Sequence, residues 1–70
     1  MKLELLNDKI RVSGLKKNYI AEQMGIDRVS LYNKLAGKTE FTVTEIISLC
    51  DILKLNDKDK KQIFLQKNMN

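Results

Sequence analysis

The sequence of 70 residues contains no histidine and no proline, and it has one cysteine and three glycines. Without histidine, and with Cys50 as the one thiol, the chain cannot assemble a tetrahedral zinc site or close an internal disulfide. It also lacks a phosphate-binding glycine loop and a nucleophile motif, and its carboxylates are scattered. We therefore expect no enzyme activity, no metal, no cofactor and no small-molecule ligand, and the scarcity of helix breakers favours an all-α fold.

Long apolar runs are also missing from the chain. No segment approaches the roughly 18 consecutive apolar residues of a membrane span, and the amino-terminal stretch MKLELLNDK meets charge too early for a secretory signal. Hydrophobic residues make up 43% of the chain, charged residues make up 31%, and the mean hydropathy is −0.34. These values predict a small cytoplasmic domain over residues 1–66, with no membrane partner and a frayed tail at residues 67–70.

The positive charge is concentrated in one part of the sequence. The formal net charge is +4, but residues 9–38 hold seven basic and two acidic residues, a net charge of +5, and the remainder of the chain is slightly acidic. A basic segment of this kind favours a polyanionic partner, although mildly basic surfaces are common.

Apolar residues at helical spacing predict five helices. The first ends near Ser13 before Gly14, the second spans about residues 17–24, and the third spans about residues 28–36 before Gly37. A capping box of Thr42 and Glu45 opens the fourth helix, and Asn56 caps a short fifth helix that extends to about residue 65. The fourth helix is expected to direct these side chains into the core: Val43, Ile46, Ile47, Cys50 and Leu53.

Residues 21–38, AEQMGIDRVSLYNKLAGK, predict two short helices joined by a tight turn. Ala21 is small enough for the two helices to cross closely, and Gly25 can adopt the left-handed conformation at the reversal. Asp27 is a suitable N-cap for the second helix of the pair. The apolar seam between them would consist of Ile20, Met24, Ile26, Leu31 and Leu35. This is the spacing of a helix-turn-helix formed by the second and third helices of the chain.

On the basis of these residues, the segment 6–55 resembles the Cro and repressor type (XRE-like) of helix-turn-helix regulator found in phages and related mobile elements. The resemblance is closest over SLYNKLAGKTEF, residues 30–41. It implies a compact five-helix lambda-repressor-like domain that binds a palindromic double-stranded DNA operator in the major groove and represses transcription. Two features depart from the pattern: Lys34 stands at an often apolar place, and Lys16 and Lys17 replace the usual hydroxyl residue and glutamine.

Four side chains of the third helix are candidates for reading bases. Arg28 can pair with guanine, Asn33 can pair with adenine, and Val29 offers an apolar surface to the thymine methyl group. Tyr32 could contact either a base or a phosphate. The alternative for Val29 and Tyr32 is partial packing into the core.

Two groups of residues flank that helix as candidate contacts to the DNA backbone. Lys16, Lys17 and Asn18 surround the start of the second helix, whose free N–H groups suit a phosphate oxygen. Lys34, Lys38 and Thr39 follow the reading face on its other side. The alternative for both groups is that water caps the helix and the lysines are solvated.

Two questions stay open at the level of sequence. The same surface could serve a protein-interaction module that binds an acidic protein partner instead of DNA. A homodimer is expected on DNA, but Ile63, Phe64 and Leu65 could pack within one chain or across a two-fold interface.

Cys50 is expected to be a small buried hydrophobe, and Phe41 is expected to anchor its loop to the core.

Overall fold

The computed structural model describes residues 1–65, which form five α-helices and no strand. They are α1 (Leu3–Ser13), α2 (Lys17–Met24), α3 (Arg28–Leu35), α4 (Val43–Leu53) and α5 (Asp57–Phe64). The predicted all-α class and the five helices are confirmed. The expected frayed tail, residues 67–70, lies outside the described residues.

Short-range hydrogen bonds explain where three of these helices begin, namely α3, α4 and α5. The Asp27 side chain accepts from the Ser30 N–H at 2.7 Å, which caps α3, and the Asn56 side chain accepts from the Asp59 N–H at 2.8 Å, which caps α5. Thr42 and Glu45 form the predicted capping box at the start of α4. Each cap satisfies a backbone N–H that has no partner within its helix.

The centre of the core receives one fully buried side chain from each helix. These residues are Leu6, Ile20, Leu31, Leu49 and Ile63. α2 packs against both α3 and α4, while α1 contacts α3, α4 and α5. The Cα radius of gyration is 11.6 Å, as expected for a compact chain of this length.

The predicted seam between the second and third helices is confirmed. Ile20, Leu31 and Leu35 are buried, and Met24 and Ile26 are partly buried against the same core. Ala21 is 2% exposed. Within the described residues, Cys50 is buried and Phe41 packs against the core, as predicted.

The predicted inward face of α4 is wrong at two positions. Val43 is 73% exposed and Ile47 is 59% exposed, while Leu49, which was not predicted to face inward, is fully buried. The reason is that α4 carries apolar residues around most of its circumference, so helical periodicity alone allows more than one inward face. The packing of α4 against its neighbours α1 and α2 buries the side that contains Leu49 and Cys50.

Within residues 1–65, every helix is too short or too polar to traverse a lipid bilayer.

Candidate functional site

The chain reverses between α2 and α3 in three residues. Gly25 has φ 78°, a left-handed conformation that is inexpensive for glycine. The Ile26 N–H donates to the Ala21 carbonyl oxygen at 3.0 Å, which closes the last turn of α2 in the manner of a Schellman motif. Asp27 then caps α3. These contacts set the direction in which α3 leaves the turn.

One side of α3 is directed to solvent along most of its length. Leu31 and Leu35, which are i, i+4 neighbours, are buried, whereas Val29 is 65% exposed and Tyr32 is 49% exposed. Arg28 is exposed and Asn33 is half-buried. Val29 and Tyr32 therefore lie outside the core, and the four predicted base-reading residues remain reachable.

The fold brings a predicted base-reading residue together with a predicted phosphate contact. The Lys17 ammonium, at the start of α2, lies 5.0 Å from the centroid of the Tyr32 ring on α3. This separation is within the range of a cation–π interaction, which orients the lysine without neutralising its charge. A positive charge from α2 is therefore held beside the exposed side of α3.

The amino terminus of α2 is open to solvent. Lys16 occupies the N-cap position with extended backbone, and no side chain of the described residues caps this end. Lys16 and Asn18 are exposed, and Lys17, which contacts the Tyr32 ring, is half-buried. The start of α2 thus combines free N–H groups with two positive side chains, an arrangement suited to an oxygen anion.

On the far side of α3, two of the three predicted residues lie on the loop 36–42. Lys38 and Thr39 are exposed there, and Gly37 takes a left-handed conformation with φ 83°. The Lys38 N–H donates to the Asn33 carbonyl oxygen at 2.9 Å, so the loop begins tightly against the end of α3. The Lys38 side chain is therefore carried on a short, ordered connection.

Lys34, the third residue predicted to contact the DNA backbone on this side of α3, is not exposed like Lys38 and Thr39. Its ammonium nitrogen lies 3.1 Å from the Glu45 carboxylate and donates to the Glu40 carbonyl oxygen at 3.0 Å. The Lys34 side chain is 13% exposed. The charge of Lys34 is thus engaged within the chain, at the junction of α3 and α4, and is not displayed beside Lys38.

Glu45, through its ion pair with Lys34, and Asn7 hold the carboxyl end of α3, and the sequence analysis predicts neither role. The Thr42 N–H donates to the Glu45 carboxylate, and this bond, together with Lys34, lowers the pKa of Glu45. Asn7 Nδ2 donates to the Leu35 carbonyl oxygen at 3.3 Å and to the Leu3 carbonyl oxygen at 2.9 Å. The contacts of Glu45 with Lys34 and of Asn7 with Leu35 join residues that are distant in sequence, so no short motif marks these two contacts.

The amino-terminal edge of α3 also carries negative charge. Glu22 and Asp27 lie beside Arg28 around an open groove. The Ser30 N–H donates to the Asp27 carboxylate and lowers the pKa of Asp27 below its ordinary value. One oxygen of the Asp27 carboxylate therefore caps α3, and Arg28 emerges next to it at the first turn.

Comparisons with known proteins find no matching family model, no matching curated protein and no matching solved structure.

Proposed function

We propose that this chain is a sequence-specific double-stranded DNA-binding regulator that inserts α3 into the major groove. The observation that carries the proposal is the solvent-directed side of α3, with Lys17 of α2 held over Tyr32 beside it. An α-helix fits the major groove, and base edges there present a distinct pattern for each base pair. α2 and α3 would form the helix-turn-helix of a lambda-repressor-like domain.

Within this proposal, the first turn of α3 reads bases most directly. Arg28 emerges there and would donate two hydrogen bonds to guanine, while Val29 would pack against a thymine methyl group. Tyr32 and Asn33 follow one turn later, and the Asn33 amide suits adenine.

Phosphate contacts would lie at both sides of the reading helix. Lys16, Lys17 and Asn18 would bind one phosphate at the open amino terminus of α2. Lys38 and Thr39 would bind another from the loop after α3. These contacts fix the orientation of the domain on the duplex without reading its sequence.

For Lys34 we propose a supporting role in place of the phosphate contact that the sequence predicts. Its ammonium already has the Glu45 carboxylate and the Glu40 carbonyl oxygen as partners. A phosphate would have to compete with both of them. Lys34 would instead fix the end of α3 against α4.

The regulator would bind as a homodimer to a palindromic operator, and we propose repression of the phage-repressor or Cro type in the cytoplasm. One copy of α3 reads only a few base pairs, and two-fold pairing doubles the sequence that is read. The two half-site centres would then lie about 10 base pairs apart, one turn of the double helix.

Selection of bound sites from a random pool of DNA duplexes tests the proposal. The expected result is a palindromic consensus whose affinity falls steeply as the salt concentration rises. No enrichment of any duplex above the unselected pool would overturn it. Capture of an acidic protein by the same surface, with no preference among duplexes, would favour the protein-interaction alternative.

A further inference from the structure

The carboxyl end of α3 receives a hydrogen bond from α1. The last four carbonyl groups of a helix have no partner within it. In α3, backbone N–H groups of the following loop donate to the first three of these carbonyls, which belong to Tyr32, Asn33 and Lys34. The fourth carbonyl belongs to Leu35, and it accepts from Asn7 Nδ2 at 3.3 Å. A side chain of α1 therefore completes the carboxyl end of α3.

The same side chain is also bound within its own helix. Asn7 Nδ2 donates to the Leu3 carbonyl oxygen, one turn earlier in α1, at 2.9 Å. Because a side-chain amide carries two N–H groups, Asn7 can serve both carbonyls at once. Asn7 is half-buried, and Leu6 and Ile10 beside it on α1 are buried in the core. The amide is thus held in place by α1 while it reaches α3.

Helix formation does not require an asparagine in the middle of α1. Asparagine is a weaker helix former than alanine or leucine, because its side chain competes for backbone hydrogen bonds. Neither alanine nor leucine could donate to a carbonyl group of α3. The contribution of Asn7 that those residues would lack is therefore its contact with Leu35.

A second contact places the chain after α3 against the same part of α1. A Cβ atom on Gly37 would lie 3.2 Å from Leu3 Cδ1, so this loop passes close to the first turn of α1. Leu3 and Asn7 are i, i+4 neighbours and lie on one side of α1. Together they fix the distance between α1 and the carboxyl end of α3.

This end of α3 carries one of the proposed base-reading residues. Leu35 follows Asn33 by two residues, whereas Arg28 lies about 10 Å away along the helix axis. The amino end is fixed separately by the Asp27 cap. A recognition side chain must be held to within about 0.5 Å of its productive position. Loss of the Asn7 contact should therefore disturb Asn33 more than Arg28.

We infer that Asn7 is a positioning residue for sequence recognition, whose bond to the Leu35 carbonyl holds the carboxyl end of α3 where Asn33 reaches a base. The inference rests on the proposed function, since it names a further determinant of specificity for that same site. Asn7 acts through α3 and carries no charge, so its contribution is separate from the phosphate contacts.

Site selection from a random pool of duplexes with Asn7→Ala provides the first test. Preference should fall by about fivefold or more at the base position that Asn33→Ala also relaxes, and by less than about twofold at the position that Arg28→Ala relaxes. The slope of log affinity against log salt should equal that of the wild type, because no charge is lost. Asn7→Leu, which keeps the volume of the side chain, should give the same result.

Ile63→Val is the matched control for a general loss of stability. Ile63 is 1% exposed on α5, and the variant removes a buried methylene group. It should leave the preference unchanged at both base positions. Equal relaxation by Ile63→Val, or an unchanged preference in both Asn7 variants, would overturn the inference.

A double-mutant cycle tests whether Asn7 acts through Asn33. The effects of Asn7→Ala and Asn33→Ala on affinity for the selected site should be non-additive, because Asn7 has no amide left to position once Asn33 is truncated. The effects of Asn7→Ala and Arg28→Ala should be additive. Additivity in both pairs would contradict the positioning role.

Hydrogen exchange in the free protein measures the same contact without DNA. In Asn7→Ala the Lys38 amide, which donates to the Asn33 carbonyl at 2.9 Å, should exchange several-fold faster than in the wild type. The Ser30 amide, which Asp27 caps, should exchange at its wild-type rate. Unchanged exchange at Lys38, or an equal increase at both amides, would contradict the inference.

The two kinds of measurement separate this inference from the proposed function. A wild-type chain that enriches no duplex would overturn the regulator and, with it, the role of Asn7 in recognition. A wild-type chain that selects a site which the Asn7 variants select equally well would keep the regulator and overturn the inference.

Discussion

The ammonium nitrogen of Lys34 lies 3.1 Å from the carboxylate of Glu45, and both side chains are largely shielded from water. The same carboxylate accepts the Thr42 N–H at 2.9 Å and so completes the capping box of α4. One carboxylate therefore joins the end of the proposed reading helix to the start of the next helix. The contact fixes α3 from its carboxyl end, as the Asp27 cap does from its amino end.

Replacement of Lys34 should destabilise the fold and should have little effect on the binding of phosphate. Lys34→Gln leaves Glu45 without its cation, so the free energy of unfolding should fall by about 1–3 kcal/mol. Lys38→Gln, a change of the same type at an exposed position, should leave it nearly unchanged. Urea denaturation measures both values.

The salt dependence of DNA binding should distinguish the same two variants in the opposite sense. Lys38→Gln should reduce the slope of log affinity against log salt by about 0.9, while Lys34→Gln should leave that slope unchanged. A reduced slope for Lys34→Gln without any loss of stability would instead support the phosphate contact that the sequence predicts.

Lys17 and Tyr32 should contribute to DNA binding as a coupled pair. Removal of the Tyr32 ring frees the Lys17 ammonium, so Lys17→Gln and Tyr32→Leu should be non-additive by about 0.5–1 kcal/mol. The affinity for a short non-specific duplex measures the coupling in a double-mutant cycle. Tyr32→Phe keeps the ring and is the matched control, which should preserve the coupling. Additive effects of Lys17→Gln and Tyr32→Leu would show that the two side chains act independently.

Arg28 and Asn33 should determine base preference without supporting the fold. Either residue changed to alanine should relax the preference at one or two base positions by about 1–3 kcal/mol. Non-specific affinity should fall less, and more for Arg28→Ala, which removes a charge. Site selection from a random pool measures the preference, and circular dichroism should stay near wild type. An unchanged consensus for both variants would rule out base reading by α3.

Acid should weaken the amino-terminal cap of α3. The Ser30 N–H lowers the pKa of Asp27 in the folded protein, so the carboxylate stabilises the fold at pH values above the pKa of the unfolded chain. That contribution is lost as the pH falls through the folded pKa, in the range below about pH 5. Asp27→Asn should keep the cap but should lose less stability over this range, because an amide accepts the same hydrogen bond without titrating. Urea denaturation at several pH values should show the difference, and identical pH profiles would contradict the assignment.

The sequence alone is enough to predict the helices and the turn between α2 and α3, because they depend on contacts between residues that are close in the sequence. Asp27 caps an N–H three residues away, Thr42 and Glu45 cap each other across the same spacing, and Gly25 needs only its own backbone freedom. Such contacts form wherever the segment is placed, so their motifs can be recognised in a single stretch of sequence. The outward position of Arg28 follows equally from the inward spacing of Leu31 and Leu35.

Three features depend on contacts between segments that are distant in sequence. Lys34 pairs with Glu45 across eleven residues, and Lys17 lies over Tyr32 across fifteen, so neither partner can be chosen before the helices are packed. α4 is apolar on several sides, and its packing against α1 and α2 buries Leu49 and leaves other aliphatic residues in solvent. Periodicity predicts that a helix has an inward face, but when apolar residues surround the helix, its neighbours in the fold select which face that is.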